Sequence, residues 1–174
     1  MTAPAPSACL SAQPFEMLVR IARHSAIGDP EGCAAVLALL ATGRSLRTHL
    51  QRVLTSVNLS ECKFAILVSL YARDPDPCSP GELSAQTGLG RATLRAALDA
   101  LATGGWIEKH PAPGNLRRPE LAALTPRGRT LTEKTVRPFL TAVAHCGEVL
   151  SASERQSVTA ACNLLHDHLP SAAS

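Results

Sequence analysis

Aromatic residues are scarce in this chain, with one Trp, one Tyr and three Phe among 174 residues. A core of ordinary size must then be built from Leu, Ala and Val, which suits helices better than sheets. The length fits one domain able to bury such a core. No run of about 18 apolar residues occurs, so no membrane-spanning helix is expected. Met1 to Pro14 is rich in Ala, Pro and Ser but has neither basic residues nor an apolar segment. It is expected to be a flexible tail over 1–13 rather than a secretory signal, with the cytoplasm as the default compartment. The six cysteines (Cys9, Cys33, Cys62, Cys78, Cys146 and Cys162) include no Cys-x-x-Cys pair, so a dedicated metal site is not expected. A phosphate-cradling Gly-rich loop, a His-x-x-x-His pair and a Ser/His/Asp grouping are also missing, which argues against an enzyme and against a bound cofactor.

What is present is concentrated in residues 79–128. Ser79-Pro80-Gly81-Glu82 is a capping box with proline at the first helical position. Thr87-Gly88-Leu89-Gly90 breaks that helix. A second begins near Arg91 and carries Leu94, Leu98 and Leu101 on one face, with Arg91, Thr93, Arg95 and Asp99 on the other. Gly104-Gly105 ends it, Trp106 to His110 reads as a strand, Pro111 to Asn115 as a loop, and Leu121 to Leu124 as the return strand. Arg117 and Arg118 lie in the connection. Two helices about a glycine turn, followed by a basic hairpin, make a winged helix-turn-helix, the geometry that lays a helix in a DNA major groove. Net charge is only +3, but its placement is uneven. Arg91, Arg95, Lys109, Arg117, Arg118, Arg127, Arg129 and Lys134 face only Asp99, Glu108, Glu120 and Glu133 across 91–134.

Outside this region the pattern is helical. Pro14 to Ile27 has Phe15, Leu18, Val19 and Ala22 at helical spacing. Asp29-Pro30-Glu31 opens a helix of about 27 residues, roughly 40 Å long, which one small domain cannot cover and a partner subunit could. Ser60 opens the next helix, with Phe64, Leu67, Val68 and Tyr71 expected inward. Pro126 to Cys146 forms another, with Gly147 as its expected terminator. Ser153-x-x-Gln156 is expected to cap the last, which carries Val158, Ala161, Cys162, Leu165 and Leu169.

Thr93-Leu94-Arg95, Leu98-Asp99-x-Leu101, Gly105-Trp106-Ile107, Arg117-Arg118 and Leu124-Thr125-Pro126-Arg127-Gly128 resemble the multiple-antibiotic-resistance regulator (MarR) family of bacterial repressors. The resemblance is dense from Leu59 to Leu131 and thinner to Leu169. It implies a mainly α fold with a small β-hairpin wing: dimerisation helices over 14–58, a winged helix-turn-helix over 59–128, and C-terminal dimerisation helices over 129–170. It implies a homodimer that reads a pseudo-palindrome in double-stranded DNA and has no membrane role. Arg95 is the leading base reader, Arg91 and Thr93 touch base or phosphate, and Arg118 occupies the wing-tip position that enters the minor groove. The family's aspartate two residues before that arginine is Leu116 here, so either weaker wing insertion or a share of the task for Arg117 is expected. Where the family tends to have a basic residue after Arg95, this chain has Ala96.

Two modes of release stay open. A small apolar or phenolic effector bound between the dimer helices and the winged-helix lobe is the family default. The other is an oxidant acting on Cys33, in the first turn of the long helix, with Cys146 near the second cysteine of two-cysteine members. Cys62 and Cys162 are expected to serve as small apolar side chains. The rival from another class is a winged helix used only for protein–protein assembly. The arginines on helix and wing argue for DNA instead.

Overall fold

The computed structural model describes residues 13–24, 28–111 and 121–169. Seven helices and two strands occur among them, in the order α1 (Gln13–His24), α2 (Pro30–Thr55), α3 (Glu61–Tyr71), α4 (Pro80–Thr87), α5 (Arg91–Thr103), β1 (Ile107–His110), β2 (Leu121–Leu124), α6 (Pro126–Gly147) and α7 (Ala152–His168). The mainly α winged helix is therefore present. The expected tail over 1–13 lies outside the described residues except for Gln13, as does the expected end of the first helix at Ile27.

The chain divides into two compact units, 1–49 and 50–174. In the first, Asp29 Oδ1 accepts the Glu31 N–H and its carbonyl accepts the Cys33 N–H, which starts α2 beside Pro30. Large apolar side chains stay exposed in both helices of this unit: Met17, Leu18 and Ile21 of α1, and Val36, Leu39, Leu40 and Leu46 of α2.

In the second unit the core is aliphatic, as the shortage of aromatics requires. Leu54, Leu59, Leu67, Leu70, Leu83 and Leu101 are at most 2% exposed, each burial stabilising by roughly 1.5–3 kcal/mol. The Phe64 and Phe139 rings meet at 4.8 Å between centroids and join α3 to α6. The wing is antiparallel, with Ile107 opposite Leu124 and His110 opposite Leu121. Cys78 adds a short third edge through two backbone hydrogen bonds of 2.8 Å with Ala122.

Four expectations need correction. Ile66 and Leu70 of α3 point into the core with Phe64 and Leu67, while Val68 and Tyr71 lie at its exposed border. A short helix buried on a broad face does not announce its edge in an apolar run. The last helix is capped by Ser151, not Ser153: Ser151 Oγ accepts from Glu154 N–H, and the Glu154 carboxylate reaches back to the Ser151 N–H at 2.7 Å. A capping box supplies two bonds and outcompetes the alternative start two residues later. Gly147 is the last helical residue of α6 rather than its terminator, and Glu148 follows in ordinary right-handed geometry. Cys162 is exposed, and among the described cysteines the one buried in the core is Cys78.

Candidate nucleic-acid interface

α4 and α5 are set by local chemistry. The Ser79–Glu82 capping box forms as expected, and Arg73 Nη1 adds a 2.7 Å ion pair to Glu82. Bonding from the Ser79 backbone, then from Arg73 and the Ser79 hydroxyl, lowers the Glu82 pKa to about 2. Gly88 takes the left-handed φ of 67° that ends α4. Ser84 Oγ then donates to Leu89 O at 2.8 Å, fixing the tight path into α5.

α5 buries Leu94, Ala97, Leu98 and Leu101, and this anchoring turns Arg91, Thr93 and Arg95 to solvent. Its N-cap is Gly90, which offers no side-chain cap, and no acid occupies the first turn. The leading N–H groups and the positive end of the helix are therefore open to an anion such as a DNA phosphate.

The other end of α5 aims the wing. Gly105 N–H donates to Ala102 O and Trp106 N–H to Leu101 O, with Gly105 at φ 70°, a Schellman motif that reverses the chain. Thr125 locks the return. Its N–H donates to Trp106 O, its hydroxyl donates to Gly105 O at 2.8 Å, and the same oxygen accepts the Gly128 N–H that starts α6. Gly128 packs against Trp106 so closely that a Cβ there would lie 1.8 Å from the Trp106 carbonyl oxygen. On the far side of the wing, Arg129 forms an ion pair with the largely buried Asp74.

A groove of about 740 Å³ runs between α4, α5 and the wing base, lined in part by Ser84, Arg91, Arg95, Asp99 and Lys109. Lys109 Nζ on β1 reaches Asp99 Oδ1 on α5 at 2.5 Å. The Lys109 hydrogen bond and charge, with a smaller contribution from Arg95, hold Asp99 below its ordinary pKa. Arg91 and Arg95 are thus brought to one groove, and Thr93 is exposed on the same helix. Arg117 and Arg118, with Leu116, lie outside the described residues. Cys33 is half-buried near the start of α2 in the first unit, and Cys146 is half-buried in the last turn of α6 in the second.

Sequence reasoning missed the Lys109–Asp99 pair and the double role of Thr125. The first could have been sought as opposite charges on a helix and on the strand that doubles back along it. The second has a weaker signal, a threonine before Pro-x-Gly. Among the described residues no group of three His, Cys, Asp or Glu is placed to hold a metal ion, and no helix is long and apolar enough to cross a membrane.

Residues 55–118 match the sequence model of the MarR family. No curated protein matches the chain in a sequence search. Among solved structures, BpsR of Bordetella bronchiseptica is similar at TM-score 0.66 and 24% identity, over 76% of this chain and 92% of that one; that work concerns regulation of its DNA binding by 6-hydroxynicotinic acid. A MarR-family regulator from Silicibacter pomeroyi gives 0.63 and 21%, over 80% and 92%. A MarR point mutant from E. coli, complexed with operator DNA, gives 0.63 and 20%, over 90% and 94%.

Proposed function

We propose that the chain is a DNA-binding transcriptional regulator of the MarR family, acting as a homodimeric repressor on a pseudo-palindromic operator. Proteins of that family are transcriptional regulators, so on this reading the chain acts by binding rather than as an enzyme. One observation carries the operator reading: α5 buries its leucine face and leaves Arg91, Thr93 and Arg95 exposed at an uncapped helix start. Such a helix meets phosphates with its N–H groups and base edges with its arginines. Arg95 is assigned the base contact, bidentate to a guanine. Arg117 and Arg118 are assigned to the wing tip, with weaker minor-groove insertion because Leu116 supplies no carboxylate. The similarity to an operator-bound MarR supports the same docking here.

Exposed apolar residues on α1, α2 and α7 support pairing of two chains through the terminal helices. Two recognition helices would then lie about one turn of DNA apart, and the protein would work in the cytoplasm, where the chromosome is. Release by a small apolar or phenolic effector is supported by the similarity to BpsR. Release by oxidation of Cys33 with Cys146 is supported by their partial exposure.

The test is binding to the DNA upstream of the protein's own gene at two salt concentrations. Wild type binds with a steep salt dependence. R95A loses sequence preference, and R118A flattens the log–log salt slope by about one. Absence of salt-dependent binding would leave the winged helix as a protein–protein module. Organic hydroperoxide that releases wild type but not C33S identifies the oxidant route, whereas release that survives C33S eliminates Cys33 as the sensor. No release by peroxide favours the effector.

A further inference from the structure

We propose that Lys109 is a specificity-determining positioning residue, engaging Asp99 from the wing strand so that this carboxylate stays off Arg95 and Arg95 remains available to a base edge. The inference rests on the reading of α5 as the helix that meets DNA.

Arg95 and Asp99 are one turn apart on the exposed face of α5, the spacing at which opposite charges meet along a helix. A pair between them would lay the guanidinium along the helix and occupy donors that a guanine edge requires. Asp99 is instead held by Lys109 Nζ at 2.5 Å, and no hydrogen bond or ion pair to Arg95 occurs among the described residues. Lys109 chiefly, and Arg95 to a smaller extent, favour the ionised form of Asp99, so two cations compete for one carboxylate.

Lys109 has the positional advantage because it comes from a strand whose register is fixed. Ile107, on the same face of β1, is 3% exposed against the core. Lys109 itself pairs with Ala122, which is in turn hydrogen-bonded to Cys78. The lysine is thereby delivered from one anchored element to another. Arg95, Asp99 and Lys109 all line the groove between α5 and the wing base.

The test compares affinity for two duplexes, the tightest sequence selected by wild type from a random pool and a scrambled duplex of the same length. K109M is expected to lose roughly fivefold or more of the preference, the low end of what one bidentate base contact supplies. K109R keeps the preference. D99N keeps it too, since the carboxylate both cations compete for is gone. The double variant D99N/K109M returns to within about twofold of wild type, a recovery that a simple loss of folding would not show. The pair is exposed, so thermal midpoints of all variants stay near wild type.

Equal weakening on both duplexes by K109M, with a flatter salt slope, would make Lys109 a phosphate contact and overturn the proposal. So would failure of D99N to rescue K109M, or loss of preference in D99N alone. R95A separates the two readings. If R95A leaves the preference intact, Arg95 is not the base reader and both fall. If R95A abolishes it while K109M does not, only the role of Lys109 falls.

Discussion

Gly128 carries a constraint that its position near a helix start does not suggest. The Trp106 carbonyl lies where its Cβ would be, and that carbonyl is already bound to the Thr125 N–H. Neither partner can retreat without disturbing the entry of β1 or the start of α6. G128A is therefore expected to destabilise the fold by about 1–3 kcal/mol through overpacking, read as a drop of several degrees in the thermal midpoint. An unchanged midpoint would show that the Trp106 backbone can move aside. Arg95 illustrates the same scale differently: its identity was legible, but whether its donors were engaged depended on Lys109, a residue on another element.

At the scale of elements, the helix starts were largely legible because caps are local chemistry. Ser79 with Glu82, Ser60, Thr125 and the Asp29-Pro30 pair all start helices where their side chains can reach orphan N–H groups. The α4 capping box is expected to respond to acid. The folded pKa of Glu82 is lowered to about 2 from an ordinary 4.5, chiefly by the Ser79 backbone. The ionised form is therefore favoured by folding, and the contribution is complete above pH 4.5 and lost as pH falls toward 2. E82Q is expected to lower the thermal midpoint at neutral pH and to shrink the gap between wild type and variant at pH near 3. A gap that stays constant across this window would remove Glu82 from the acid response. The start of α7 was misplaced between two serines two residues apart, and only the partner three residues on decides between them. Pro138 lies inside α6 beyond its first turn, where it removes an interior hydrogen bond that the long helix around it tolerates.

For the whole molecule, α7 poses the sharpest question. None of its residues is buried, yet Val158 and Leu164, with Leu169 just after it, are large and apolar, Leu164 being 72% exposed. Its capping box favours the helix, but helices of this length owe most of their stability to packing of an apolar face. The proposed pairing, with a second chain covering α7, would account for this, and sedimentation is then expected to give twice the 18.3 kDa chain mass. L164D is expected to shift the protein toward monomer and weaken operator binding together with dimerisation. A wild-type protein that sediments as a monomer would sink the pairing, and with it the palindromic operator.

The chain by itself determined its helix starts, its glycine breaks, its aliphatic core and the arginine-bearing face of α5. These depend on groups within a turn or two of one another, and backbone capping or periodicity is complete at that range. Tertiary structure alone decided that Cys78 pairs with Ala122, that Trp106 closes over Gly128, that α3 turns Ile66 inward and Tyr71 outward, and that Lys109 takes Asp99. Each of those contacts joins segments that meet only after the hairpin and the helix pair have closed, and no local propensity encodes which distant surface will arrive.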